Sequence, residues 1–315
     1  MSALNRLNLS TVTKSSGFIS ETQKQTQDTF SFKWAKRDTY ESQEFQDNAR
    51  KWLLERYCNH DVNQIASWLA GERKIILDAG CGSGFSAMAL FGDYLNAHDY
   101  LGVDISDSIE VAKIRFNEKG YCGDFLKADL INLPIPDESV DIIFSEGVLH
   151  HTDNTEKAVS SLSKKLKVGG LFLFYIYAKK SIIREFTDDF IRDQLSKMTD
   201  QEAWEALKPL TQLGISLGQL NIELEISDDI PILGIKKGKI DLQRFFYWNI
   251  CKAYYRSEFS LEEINHINFD WFRPLNCHRH TEEEIISFCK NSSLTILHKN
   301  IQESGITIVA KKEFD

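Results

Sequence analysis

Ile75-Ile76-Leu77-Asp78-Ala79-Gly80-Cys81-Gly82-Ser83-Gly84 is the stretch that decides how this chain is read. A short apolar run, Lys74–Ala79, passes through three glycines into the helix-like segment Phe85–Leu95. A strand that turns through glycines into a helix lets backbone approach a ligand closely beneath the helix N-terminus. Asp104 ends the next apolar run roughly 20 residues on, where an acidic side chain can accept hydrogen bonds from both hydroxyls of a ribose. These features fit a nicotinamide dinucleotide or another adenosine ligand. Two details separate them. The third glycine of a dinucleotide turn belongs at position 85, which is Phe85. Asp78, just ahead of the turn, would repel a pyrophosphate and attract an amino group. The expected ligand therefore carries a positive charge beside an adenosine.

Outward from this turn, Tyr100–Ile105, Phe125–Ala128, Val140–Ser145 and Leu171–Tyr177 read as further strands. Ile109–Phe116 and Thr155–Leu166 read as helices, the second stopped by Gly169–Gly170. Such alternation predicts βαβ crossovers and a mostly parallel sheet covered on both faces. Residues 180–280 break the rhythm with the helices Ile182–Lys197, Asp200–Leu220 and Ile240–Tyr255, around a loop holding Pro231, Gly234 and Gly238. Thr281-x-x-Glu284 is a capping box that opens a helix, and Leu294–His298 and Gly305–Ala310 are the closing strands. Residues 1–30, rich in Ser, Thr, Gln and Asn, read as a mobile arm, and Phe30–Leu69 as a helical, aromatic cap. The expected organisation is one α/β core, residues 70–180 and 281–315. An N-terminal arm and helical cap occupy 1–69, and a helical lid is inserted at 181–280.

Composition narrows the function. With 42% hydrophobic residues and only 5 Pro in 315 residues, the chain can bury a full core. The net charge of −9 works against phosphate backbones and anionic lipid, so neither nucleic acid nor a membrane is the expected partner. The longest apolar run, Leu171–Ala178, falls far short of the ~20 residues of a membrane helix, and Met1–Thr11 shows no signal-peptide core. Cys58, Cys81, Cys122, Cys251, Cys277 and Cys289 are scattered, which predicts reduced thiols and a cytoplasmic location.

The chain resembles the class I S-adenosylmethionine-dependent methyltransferases, in the small-molecule group that includes the ubiquinone/menaquinone enzymes. The likeness rests on Leu77–Gly84, Asp104, Ala128-Asp129 with Leu133-Pro134, Asp137–Ile143, Ser145–His151 and Lys167–Gly170. It implies a Rossmann-like, mostly parallel seven-stranded sheet and S-adenosylmethionine as cofactor. By the same resemblance Asp78, Gly80, Cys81, Gly82 and Gly84 hold the methionine portion, and Asp104 with Ile105 holds the ribose. Asp129 takes the adenine amino group with Leu130 packed nearby, and Ser145 lies beside the sulfonium.

Methyl transfer is an in-line displacement that needs an aligned nucleophile and, for a protonated one, a base. His150 and His151 follow the fourth strand at the ligand-binding edge of the sheet, and a neutral imidazole suits a general base. In the insertion, Arg244, Tyr247, Trp248, Cys251 and Tyr255 fall at helical spacing on one face, a lining for an aromatic or anionic acceptor. Trp271, Arg273, His278 and His280 are further acceptor-site candidates. Two histidines at i, i+2 without a third ligand do not make a metal site. Near the start, Phe32, Trp34, Arg37 and Tyr40 are spaced to fold over the cofactor. The expected activity is methyl transfer to a metabolite, natural-product or sugar-type acceptor. The competing reading is a non-catalytic S-adenosylmethionine or S-adenosylhomocysteine sensor or partner subunit.

Overall fold

The chain enters the fold through α1 (Ala3–Arg6), α2 (Glu21–Ala35), α3 (Gln43–Cys58) and α4 (Asn63–Leu69) in a computed structural model that describes residues 2–9, 19–36 and 42–314. Strands and helices then alternate: β1 (Ile75–Ala79), α5 (Phe85–Phe91), β2 (Asp99–Asp104), α6 (Ser108–Glu118), β3 (Asp124–Lys127), β4 (Val140–Glu146), α7 (Thr155–Lys165) and β5 (Leu166–Tyr177). A second group follows, with α8 (Ile182–Ser196), α9 (Asp200–Gln219), β6 (Glu223–Ile226), β7 (Gly238–Asp241), α10 (Leu242–Asn249) and α11 (Leu261–Phe272). The chain closes with α12 (Glu282–Asn291), β8 (Leu294–Ile301) and β9 (Gly305–Lys312). Two units result: Met1–Ala35 with Gln46–Ala178 and Asn276–Asp315, and Lys36–Phe45 with Lys179–Leu275.

The first unit holds a seven-stranded sheet in the order β3-β2-β1-β4-β5-β9-β8. Strands β1 to β5 pair in parallel, and β9 runs antiparallel to both β5 and β8. Every residue of β1 is buried, as a central parallel strand requires, and its alternate side chains feed opposite layers. Ile75, Leu77 and Ala79 join a core with Ala158, Val159 and Leu162 of α7 and Ile285 of α12. Ile76 joins the other layer, with Leu53 and Tyr57 of α3 and Ala87, Leu90 and Phe91 of α5. Fully burying a side chain such as Phe144 contributes about 1.5–3 kcal/mol. The architecture is the mostly parallel sheet expected from the alternation, in the Rossmann-like form that the resemblance implies.

Several local readings are corrected. Residues 3–6 and 21–35 are helical, not an arm. The inward side chains of α2 are Gln23, Thr26, Thr29 and Lys33, so no apolar period marked it. Gly169 and Gly170 lie inside β5 rather than beyond a helix, because Leu166 already pairs with Val140. The expected loop around Pro231 and Gly234 is flanked by β6 and β7, which pair antiparallel from Glu223↔Asp241 to Ile226↔Gly238. Helix α10 stops at Asn249, so Cys251 and Tyr255 do not extend its face. The Thr281–Glu284 capping box forms as read. Ser260–Glu263 and Thr199–Glu202 form the same device at the starts of α11 and α9, a signal that would have disclosed α11. Among the described residues no helix is long and apolar enough to cross a membrane. All six cysteines are free thiols.

Polar bonds hold α2 in the first unit. Asn276 donates from its backbone to Thr26 Oγ1 at 3.2 Å and from Nδ2 to Gln23 Oε1 at 3.2 Å and Asp153 Oδ1 at 2.9 Å. Gln23 Nε2 donates to the His151 carbonyl at 3.3 Å, and Asp107 N–H donates to Ser31 Oγ at 3.1 Å. Asn276→Ala should therefore destabilise the chain by ~1–3 kcal/mol and speed proteolysis within Glu21–Ala35. Unchanged denaturation and unchanged cleavage would show that α2 is held by something else.

Candidate functional site

The glycine turn follows β1 and is fastened from β2. Gly80 and Cys81 N–H both donate to the Val103 carbonyl, at 2.7 and 2.9 Å. Gly80 has φ +85°, and a Cβ there would overlap Val148 in the loop after β4. Only glycine gives both the left-handed backbone and the close approach. From α6, the buried Arg115 donates from Nη1 to Ser83 Oγ at 2.7 Å, holding the far side of the turn.

Asp104 clamps the turn from the end of β2. Its Oδ2 accepts Gly82 N–H at 2.8 Å, and its Oδ1 accepts the backbone N–H and hydroxyl of Ser106 at 2.8 and 2.6 Å. Those three bonds use three of the about four lone-pair positions on a carboxylate and leave one on Oδ2. Asp78, at the end of β1, is 3% exposed and accepts the Tyr100 hydroxyl at 2.7 Å. Burial pushes its carboxyl up to about 7; the Tyr100 bond opposes this, and the charges of Asp104 and Glu146 add to it. Among the described residues, a carboxylate held this way is short of a counter-charge. The Cys81 thiol is pushed well above its ordinary range by burial and by Asp78 and Asp104, so it is no thiolate nucleophile.

Trp34, near the end of α2, lies against the turn: a Cβ built on Gly82 would meet its indole at 2.9–3.2 Å. Arg37 and Tyr40, its partners in the sequence reading, lie outside the described residues. Asp129 is half-buried; its Oδ1 accepts Ile131 N–H at 3.1 Å and its Oδ2 accepts Asn132 Nδ2 at 2.7 Å. Leu130 is buried in the adjoining core, and Ile105 is half-buried. Ser145 is fully buried and donates to the Ala79 carbonyl at 2.8 Å, so its hydroxyl ties β4 to the end of β1.

His150 and His151 are both buried. The His150 ring stacks on Tyr177 with centroids 3.7 Å apart, and its Nδ1 accepts Tyr177 N–H at 3.3 Å. His151 Nδ1 lies 2.6 Å from the Asn276 carbonyl, and its ring meets Phe30 edge-on at 5.0 Å. A backbone N–H only donates and a carbonyl only accepts, so the neutral tautomers are opposite. His150 carries its proton on Nε2, whereas His151 carries it on Nδ1 and keeps the Nε2 lone pair. His278 donates its backbone N–H to the His150 carbonyl at 2.9 Å, and its Nε2 lies 3.0 Å from the Thr152 carbonyl. His280 Nε2 lies 2.9 Å from Thr155 Oγ1. These two histidines lace the 276–280 segment to the loop after β4. Among the described residues, no three His, Cys, Asp or Glu side chains converge for a metal ion.

The other acceptor-site candidates belong to the second unit. Arg244 donates from Nη2 to the Tyr255 carbonyl at 3.1 Å. Arg273 pairs with Asp200 through Nε at 2.8 Å and donates from Nη2 to the Met198 carbonyl at 3.0 Å. Tyr247 and Trp248 meet edge-on at 4.5 Å, and Trp271 Nε1 donates to Asp188 Oδ2 at 2.8 Å. Sequence reasoning missed Tyr100, Ser106 and Arg115 at the turn. Tyr100 was within reach of it: with Asp78 opposite Gly102 in the parallel register, Tyr100 opposes Ile76 and shares the face of Asp78.

Comparison with known proteins agrees with this geometry. Residues 77–174 match the family model described as a methyltransferase domain. The fatty-acid O-methyltransferase of Mycolicibacterium smegmatis is 30% identical over 122 residues, 38% of this chain and 43% of that protein. The tRNA (carboxymethyluridine(34)-5-O)-methyltransferase of Arabidopsis thaliana is 37% identical over 110 residues, 33% of this chain and 24% of that protein. The chain spans about half the length, or less, of the curated relatives it matches. The crystal structure of magnesium protoporphyrin IX methyltransferase from Synechocystis PCC 6803 with bound S-adenosylmethionine superposes with a TM-score of 0.50. It is 12% identical, with 95% of this chain and 100% of that chain covered, a likeness of fold alone. The glycine turn and its two flanking carboxylates all lie within residues 77–174, and that segment is a methyltransferase domain of the class I S-adenosylmethionine-dependent kind.

Proposed function

We propose that this chain transfers a methyl group from S-adenosylmethionine to a small-molecule acceptor. The observation that carries the reading is Asp78, a buried carboxylate beside the glycine turn whose hydrogen-bond partner is a neutral phenol. An amino group placed there would supply the missing counter-charge. The remaining lone pair on Asp104 Oδ2 suits a ribose hydroxyl, and Asp129 suits the adenine amino group. Leu130 and Ile105 would pack the ring, and Trp34 would keep water from the turn. S-adenosylmethionine, when bound, supplies a sulfonium methyl group open to in-line attack. Between the two adjacent histidines, hydrogen bonding favours His151 as the proton acceptor, because its Nε2 keeps the lone pair while His150 presents an N–H. The net charge of −9 supports a small molecule over a polyanion. The relatives themselves divide between a fatty acid and a tRNA in their names.

Calorimetric titration with S-adenosylmethionine, S-adenosylhomocysteine and NADH tests the donor. The first two should bind and the third should not; binding of NADH alone would return the chain to the dinucleotide reading. Asp104→Ala should weaken S-adenosylmethionine binding by ~1–3 kcal/mol, and equal affinity would remove Asp104 from the site. With an acceptor in hand, His151→Phe should lower kcat by roughly 10²–10⁴-fold and leave donor affinity intact. Full turnover in that variant would leave His151 a structural role.

Asp78 also predicts a pH dependence. Its folded pKa of about 7 lies above the ordinary value of 3.8, so the native state holds a proton that the unfolded state has released. Stability should therefore fall as pH rises from about 4 through 7. Asp78→Asn removes that loss: the variant should melt higher than the parent at about pH 8, match it near pH 4, and lose S-adenosylmethionine binding. A variant less stable at about pH 8 would mean that the charge is already compensated.

A further inference from the structure

Helix α8 is inverted relative to an ordinary surface helix, which turns its apolar stripe to the core and its charges to water. Its inward side chains are Arg184, Asp188, Arg192 and Leu195. Asp188 Oδ2 accepts Arg184 Nε at 3.0 Å and Trp271 Nε1 at 2.8 Å, and Arg192 Nη2 donates to the Trp271 carbonyl at 2.9 Å. Outward stand Ile182, Phe186 and Phe190, which are 71%, 76% and 58% exposed. They are three of the five most exposed large apolar side chains among the described residues. Their i, i+4, i+8 spacing sets them in one row along the helix. Apolar residues scattered over a surface need no explanation, whereas a continuous row of them marks a face that something covers.

The row is bounded by opposite charges. Lys179 stands three residues before Ile182, and Asp193 three residues after Phe190, both exposed. Read along the chain, the row runs basic, apolar, apolar, apolar, acidic. Turned end for end it complements itself, as an isologous two-fold contact requires. With the two-fold axis at Phe186, that residue meets its own counterpart, Ile182 meets Phe190 of the second copy, and Lys179 meets Asp193 of the second copy. Asp193 also holds Lys197 of its own helix at 2.9 Å, and a carboxylate has lone pairs for both ammonium groups. Asp189 and Asp193 on the same face work against an anionic lipid surface. A phenylalanine buries roughly 150–250 Å², so Phe186 and Phe190 of two copies would withdraw roughly 500 Å² from water. Ile182 and the flanking side chains carry the contact to the lower end of specific interfaces, about 1,200 Å². A contact of that size fits a dimer in exchange with monomer.

We propose that two copies of this chain pair antiparallel through the outward faces of α8. The apolar row supplies the attraction, and the end charges set the direction, because a parallel pair would place Lys179 against Lys179 and Asp193 against Asp193. The contact lies wholly on α8, so it does not depend on the donor reading, and a failed S-adenosylmethionine titration would leave it standing.

Sedimentation velocity of the full chain across the micromolar range tests the pairing. The mass should move from one chain to two as concentration rises, and Phe186→Asp, on an exposed position that leaves the core intact, should remain a monomer throughout. Lys179→Glu should weaken the dimer by roughly fivefold or more, and Lys179→Glu combined with Asp193→Lys should recover most of that loss. Register is read by cross-linking in a Cys122→Ser chain, which lacks the exposed thiol. There, Ile182→Cys and Phe190→Cys chains should form a disulfide when mixed and not when oxidised separately. A chain monomeric at every concentration, a dimer unchanged by Phe186→Asp, or separate cross-linking as efficient as mixed would each overturn the proposal. So would a monomer that binds phosphatidylcholine vesicles and loses that binding in Phe186→Asp, which would make the face a lipid contact.

Discussion

Two carboxylates, Asp78 and Asp104, stand buried at the ends of neighbouring central strands, and the glycine turn is built around them. Asp104 spends three hydrogen bonds on holding Gly82 and Ser106 in place. Asp78 is held through the Tyr100 hydroxyl, and burial makes its charge unfavourable until a cation arrives. One acid therefore shapes the turn while the other carries a charge that burial disfavours. The parallel sheet makes this possible, because it delivers the ends of β1 and β2 to the same edge.

Around that edge the structure relies on polar contacts where an apolar core is usual. Helix α2 docks through Gln23, Thr26 and Ser31, and Asn276 from the far end of the chain completes the seam. His150, His151, His278 and His280 join the same seam, each ring spending a nitrogen on a backbone or hydroxyl partner. Such bonds fix tautomers as well as positions. They separate two adjacent histidines that look alike in sequence: one is left presenting a donor, the other a lone pair.

The second unit uses charge differently. Arg184 of α8 and the loop residues Lys180 and Lys252 lie around the Trp271 indole, and Asp188 bonds Arg184, Trp271 and the Lys252 backbone. Arg244 and Arg273, the cations that stand out in the sequence, bond to backbone carbonyls and to Asp200 instead. The cations around Trp271, by contrast, sit in stretches with no motif. Arg184 and Asp188 are one helical turn apart, a spacing shared by many solvated surface pairs. Their burial comes from α10 and α11 packing over α8, which no local pattern encodes.

The sheet, its parallel order and the glycine turn were legible from sequence, because a strand buried on both faces must be continuously apolar and a close backbone approach must be glycine. That Asp78 and Asp104 flank the turn was legible too, because each stands at the end of a short apolar run beside the glycines. The capping box at Thr281 was equally plain, since its pattern is local. Helix α2 was not, because its inward face is polar and carries no hydrophobic period. The Tyr100 bond, the tautomers of His150 and His151 and the cation cluster at Trp271 depend on residues brought together from distant segments. Chemistry that repeats along the chain can be read along the chain; chemistry made by pairing across it is decided only when the chain has folded.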